Sequence, residues 1–168
     1  ATVRSEAYQI AVRKRRHRVR MLLRPTPLLV PMIEEGRGND DPLVDLCLRQ
    51  YLQPMIDRNI DALVLGCTHY PLYKRAIRRV LGDGVAVIDS AYQCAEDVAA
   101  KLQSANLDAE PLAMDDRLRL TSFVTDDAER FERLAPRFLG FAADRPALIS
   151  TEALYQTHAD DAPVRLTA

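Results

Sequence analysis

Very little in this chain is suited to crossing a membrane, carrying a disulfide framework or gripping a polyanion. No apolar stretch approaches the ~18 residues of a membrane span, and no apolar signal-peptide core opens the sequence. Cysteines number only three, Cys47, Cys67 and Cys94, an odd count at wide and irregular spacing. That argues against a disulfide framework and against a CxxC-type metal site, and a reducing cytoplasm is the expectation. An excess of one charge is lacking too. The 23 Lys and Arg nearly balance 24 Asp and Glu, for a formal net charge of −1 and a pI of about 6.4. Neither nucleic acid nor a membrane surface is therefore an expected partner. One run, Arg13-Lys14-Arg15-Arg16-His17-Arg18, is strongly basic. It admits reading as a nucleic-acid patch or targeting signal, but a solvated helix end and loop fits better, since nothing else along the chain is similarly basic. Internal repeats and low-complexity tracts are also missing.

What is present has the composition of a soluble globular protein. The 168 residues, 48% hydrophobic and 28% charged, suffice for one ordinary domain, or one domain and part of another. Strand-like and helix-like patterns alternate. Residues 6–16 read as a helix and 19–23 as a strand ended by Arg24-Pro25-Thr26-Pro27. Pro31 interrupts the apolar residues 28–33 and excludes a central strand there; Glu34-Glu35-Gly36-Arg37-Gly38 reads as an exposed loop. Asp41 is the expected N-cap, and Pro42 the first residue, of a helix with the buried stripe Val44, Cys47, Leu48, Tyr51, Leu52 and Met55. Strands are expected at 61–66 and 85–88, helices at 72–81 and 94–102. Beyond a polar, weakly patterned stretch, 118–124 alternates like a strand. Residues 126–139 follow as a helix, with Asp126 and Glu129 at capping-box spacing and Gly140 at its end. Such alternation implies a parallel sheet with right-handed crossovers, and such sheets bind ligands at the carboxyl ends of their strands.

Cys67-Thr68-His69 stands at one such end, between a buried strand and a basic amphipathic helix. A helix N-terminus favours thiolate over thiol. Thr68 offers a hydroxyl beside backbone N–H groups that suit an anion, and His69 titrates near neutral pH, where it can orient or charge-balance the thiol. The triplet alone equally fits a small buried residue followed by a helix cap. Cys47 lies on an apolar stripe and Cys94 near a helix start, and both read as structural.

Further stretches bear on that choice. Asp61-Ala62-Leu63-Val64-Leu65-Gly66-Cys67-Thr68-His69-Tyr70-Pro71-Leu72 resembles the second catalytic-cysteine motif of the glutamate racemases. Ala1-Thr2-Val3-Arg4-Ser5-Glu6-Ala7-Tyr8 is similar to the tail of that family's threonine-rich strand-to-helix turn. Pro27-Leu28-Leu29-Val30-Pro31-Met32-Ile33-Glu34-Glu35-Gly36 is similar to its Pro-Leu-x-Val-Pro-x-x-Glu-Glu-Gly stretch, and Val87-Ile88-Asp89-Ser90 to its next strand end. Phe123-Val124-Thr125, Arg130-Phe131 and Arg137-Phe138-Leu139-Gly140 resemble its closing strand and helix. The likeness runs over residues 1–140, five motifs in register. It implies an α/β fold, the parallel-sheet three-layer domain of the aspartate/glutamate racemase type. It also implies interconversion of L- and D-glutamate by two cysteines, one per face of Cα, without metal or pyridoxal phosphate, supplying D-glutamate for peptidoglycan. Cys67 then corresponds to the cysteine of the second half, His69 to the histidine that assists it, and Thr2 and Thr68 to residues that hold the substrate's amino and carboxylate groups.

The resemblance also implies that part of the family's pattern is missing. Its Asp-Ser-Gly motif, Tyr-Gly pair and first catalytic cysteine in Cys-Asn-Thr do not occur in this sequence. Residues 1–103 are expected to form the second of two similar domains without its first strand, 104–116 a linker, and 117–140 the returning strand and helix of an otherwise missing first domain. The tail 141–168 is expected to be partly disordered. A truncated chain of this kind is expected to be inactive alone, and apolar side chains left uncovered on 117–140 invite association between copies. Two other readings stay open: a racemase of aspartate or a related amino acid, and a non-catalytic fragment that binds a protein partner or a small acid.

Overall fold

The structure, a computed structural model, describes residues 3–15, 19–107 and 120–152. It divides into two compact units, Ala1–Ala109 and Glu110–Ala168. In chain order the first carries helices α1 (Ala7–Lys14), α2 (Leu29–Glu34) and α3 (Pro42–Ile56), strand β1 (Ala62–Leu65), a 3-10 turn (Tyr70–Tyr73), helix α4 (Lys74–Leu81), strand β2 (Ala86–Asp89) and helix α5 (Ser90–Ser104).

The α3 helix follows the sequence closely. Asp41 is extended and accepts the Leu43 N–H at 2.8 Å, while Pro42 occupies the first helical position, where a missing N–H costs nothing. Val44, Cys47, Leu48 and Leu52 are buried and meet Leu29 and Ile33 of α2 and Ala76, Ile77 and Leu81 of α4 in one core. β1 and β2 run parallel, with Ala62 opposite Ala86 and Leu65 opposite Asp89. Side chains alternate across the strands, so Leu63, Leu65 and Val87 join that core. On the other face the paired Val64 and Ile88 stand 42% and 41% exposed.

A polar clamp fixes α4. The Asn39 side chain donates to the Leu72 carbonyl at 2.9 Å and accepts the Ala76 N–H at 2.9 Å, supplying from a distant loop the partner that an orphan first-turn N–H requires. Arg79 donates to the Asn39 carbonyl, and Arg75 and Arg79 both pair with Asp40.

Several expected elements come out differently. Residues 19–23 form no strand, for among the described residues no strand pairs with that segment. Residues 29–34 are helical despite Pro31, because Pro31 lies in the first turn, where its absent N–H had no intrahelical partner. Glu34 is thus the last residue of α2 and not part of a loop. The helix expected at 72–81 is split into the 3-10 turn around Pro71 and α4. The helix expected at 94–102 begins at Ser90, directly after β2, since the Asp89 carboxylate accepts the Ala91 and Tyr92 N–H groups and so serves as its N-cap.

The second unit holds strands β3 (Phe123–Val124) and β4 (Ala147–Leu148) with helix α6 (Ala128–Leu139) between them. The strands pair in parallel, Phe123 opposite Ala147. Of the strand expected at 118–124, residues 118 and 119 lie outside the described residues, and the ladder is only two residues long. The N-cap of α6 is Asp127, whose side chain accepts the Arg130 N–H at 2.9 Å, and not Asp126; Gly140, at φ 77°, ends the helix. β4 lies within the stretch 141–168 expected to be partly disordered, of which 153–168 lie outside the described residues. Ala135 is buried, while Phe123 and Leu148 are 60% and 67% exposed. An apolar hollow of about 450 Å³ is lined by Leu120, Phe131, Leu134 and Phe138 among others.

Candidate functional site

In the first unit the chemistry collects at the carboxyl ends of β1 and β2. Beyond Leu65 the chain passes through Gly66, where the Tyr8 ring of α1 lies so close that an added Cβ would meet it at 3.4 Å. Cys67 follows, half-buried, then Thr68, exposed, and His69, half-buried. The segment bends back on itself, Tyr70 N–H donating to the Cys67 carbonyl at 3.3 Å. A 3-10 turn therefore separates the thiol from α4, and the direct strand-to-helix junction expected from sequence is not formed. Pro71, unable to donate from its nitrogen, shapes that turn.

The His69 ring stands between two partners. Its Nε2 lies 3.4 Å from Glu34 Oε1, with both side chains 26% exposed, and its Nδ1 lies 4.0 Å from Cys67 Sγ and 3.4 Å from Thr68 Oγ1. Assigning the ring proton to Nε2, where a carboxylate accepts it, leaves the Nδ1 lone pair facing the thiol and the hydroxyl. That is the order carboxylate, imidazole, nucleophile in which a histidine takes a proton from a neighbouring group. Next to it, the Tyr70 hydroxyl lies 2.6 Å from Thr26 Oγ1 and donates to the Thr26 carbonyl at 3.4 Å. Burial pushes the Tyr70 phenol above its ordinary value; the hydrogen bond to Thr26 works against that, and the nearby charge of Cys67 adds to it.

At the end of β2, Asp89 receives Lys74 Nζ at 3.3 Å. Burial works against its ionisation, but Lys74 and the backbone amides of Tyr92 and Ala91 outweigh burial and hold it below the usual carboxylate range. Ser90 Oγ donates to the Leu65 carbonyl at 3.1 Å and ties the two strand ends together. An open hollow of about 330 Å³ beside them is lined by Lys74, Val87, Ile88, Asp89, Tyr92 and Gln93.

The structure thus brings Cys67, Thr68 and His69 together at a parallel-strand end, while Thr2 lies outside the described residues. Cys47 is 8% exposed in the core, where burial pushes its thiol up against the opposing hydrogen bond from Tyr51. Cys94 is exposed on α5. Sequence reasoning missed Glu34 as the partner of His69 and Thr26 as the partner of Tyr70. The Glu-Glu-Gly stretch was a signal for the first; nothing marked the second. Among the described residues, no group of three or more His, Cys, Asp or Glu side chains is arranged to hold a metal ion, and no helix is long and apolar enough to cross a membrane.

A family model described as Asp/Glu/Hydantoin racemase matches residues 1–98. The chain belongs to this family. Among curated relatives, the glutamate racemase of Geobacter metallireducens is 39% identical over 146 residues, covering 83% of this chain and 50% of its own. Among solved structures, the glutamate racemase of Francisella tularensis, in complex with D-glutamate, is 31% identical with a TM-score of 0.77, over 91% of this chain and 56% of that one. That of Thermus thermophilus, in complex with beta-chloro-D-alanine, is 40% identical with a TM-score of 0.71, over 90% and 54%. The fold is therefore that of a partial α/β racemase domain. This racemase-family chain spans about half the length of the curated relatives it matches.

Proposed function

We propose that this chain supplies one acid–base face of a cofactor-independent glutamate racemase site, in which Cys67 is the thiol that moves the α-proton. As thiolate, Cys67 takes the proton from Cα. The Cα–H bond breaks, the electron pair is left on the substrate and delocalised into its carboxylate, and an acid on the opposite face returns a proton. Run in the other direction, the Cys67 thiol is the donor. A free thiol, at ~8.5, is close enough to neutrality to serve as either acid or base. His69 holds the thiol's proton balance through Nδ1, and Glu34 fixes the ring through Nε2. Thr68, together with Thr2, holds the amino and carboxylate groups of the substrate. The opposing acid and the strand-helix partners of residues 117–140 belong, in this reading, to a second domain. The product is D-glutamate for peptidoglycan, made in the cytoplasm.

The observation that carries this proposal is the line Glu34–His69–Cys67 at the carboxyl end of a parallel strand pair, in a chain of the racemase family. Iodoacetamide alkylation, mapped cysteine by cysteine by mass spectrometry, tests it. L-Glutamate at roughly millimolar concentration, the upper range of ordinary substrate affinities, is expected to slow labelling of Cys67 and leave Cys94 unchanged. Labelling of Cys67 that is indifferent to every amino acid offered would overturn the proposal. Protection by aspartate and not by glutamate would replace the substrate.

A further inference from the structure

Four consecutive residues, Cys67 to Tyr70, make up the thiol loop; the Tyr70 N–H donates to the Cys67 carbonyl and the Leu72 N–H to that of His69. Its side chains are held from elsewhere, and both holds come from one segment: Glu34 on His69 and Thr26 on Tyr70. The Thr26 end is the stiffer of the two. Thr26 stands between Pro25 and Pro27, so its neighbours have fixed φ and its own backbone is confined to the extended region by the proline that follows. Its carbonyl accepts both the Leu29 N–H that opens α2, at 3.2 Å, and the Tyr70 hydroxyl. α2 in turn is seated in the core by Leu29 and Ile33. The hydroxyl at residue 26 is therefore displayed on a rigid support anchored in the core.

We propose that Thr26 and Tyr70 are a positioning pair for the acid–base thiol. The 2.6 Å contact between their hydroxyls locks the loop at its fourth residue, next to His69, and thereby sets the Nδ1 of His69 against the sulfur of Cys67. Tyr70 remains protonated throughout, since burial keeps its phenol above the ordinary range, and the contact is a neutral hydrogen bond that does not compete for the α-proton. This inference rests on the assignment of Cys67 as the proton-transfer thiol, and it names two residues that act through the loop without touching substrate.

The test is the ratio of Cys67 to Cys94 alkylation by iodoacetamide at fixed pH in the full chain, with the exposed Cys94 as internal reference. Thr26→Val removes the hydroxyl at constant shape, Tyr70→Phe removes the other partner, and Thr26→Ser restores a hydroxyl. Loss of the lock mis-sets the histidine, and the ratio is expected to fall about three- to tenfold in Thr26→Val and Tyr70→Phe. The double variant is expected to fall no further, and Thr26→Ser to match the parent. The nitrogen shifts of the His69 ring provide a second readout, with the Nε2–H form expected to lose its predominance in the two disruptive variants. A lowered thermal midpoint with an unchanged ratio and unchanged ring shifts would reduce the pair to ordinary structural support and overturn the proposal. If L-glutamate still protects Cys67 in that case, only the positioning role falls and the assignment of the thiol stands.

Discussion

Which nitrogen of an imidazole faces a neighbouring thiol as acceptor is set by the hydrogen bond its other nitrogen makes, and Glu34 lies against Nε2 of His69. Cys67, Thr68 and His69 were legible in the sequence because they are contiguous and fall at a strand end. Glu34 and Thr26 were not, because the pairing of Thr26 with Tyr70 spans 44 residues and only the folded chain brings α2 over the loop. Asp89 poses a different problem of residue chemistry. The Lys74 pairing and the α5 cap hold its folded-state ionisation below the unfolded one despite burial. Its contribution to stability is complete above the ordinary carboxylate value and disappears as pH falls through the lowered folded value. Asp89→Asn keeps an oxygen for the cap and removes the charge. It is expected to cost about 1 kcal/mol near pH 7. The gap between parent and variant should stay constant down to about pH 4 and close below it, as read from urea unfolding at a series of pH values.

At the scale of the element, the segments that could be read were those whose stop and start signals act locally. The α3 helix has its cap, its first-turn proline and its apolar stripe within 15 residues, and it formed as read. α2 was hidden because Pro31 breaks a strand pattern at any interior position yet is harmless in the first turn of a helix. β4 was hidden because two residues carry no period at all. The cap of α4 was hidden for another reason: its N-terminal partner is Asn39, which arrives from a loop 37 residues away. Asn39→Ala deletes a donor to the Leu72 carbonyl and an acceptor for the Ala76 N–H, both part-buried. A loss of about 1–3 kcal/mol is expected, measured by denaturant unfolding monitored at helix wavelengths. A value within error of zero would mean that water takes over both bonds.

For the whole molecule, thiol placement limits what the chain can do by itself. Inversion at Cα needs an acid and a base on opposite faces, and of the three thiols one is at the strand end, one in the core and one exposed on α5. The 168 residues are expected to interconvert L- and D-glutamate at far below the ~1 per second of an ordinary enzyme, as followed by circular dichroism of the amino acid. Turnover at that level would require a second base that is not a cysteine.

The crowding of tyrosine around the thiol loop has an optical consequence. The chain has no tryptophan and six tyrosines, so its near-ultraviolet emission is tyrosine's alone. Tyr8 lies against Gly66, Tyr70 belongs to the loop, Tyr51 and Tyr70 both pack against the core, and Tyr73 is the largest fully buried side chain. Tyr8 and Tyr70 stand at the two ends of the Gly66–Tyr70 segment, so part of the intrinsic light of the protein reports on the thiol loop without any label attached.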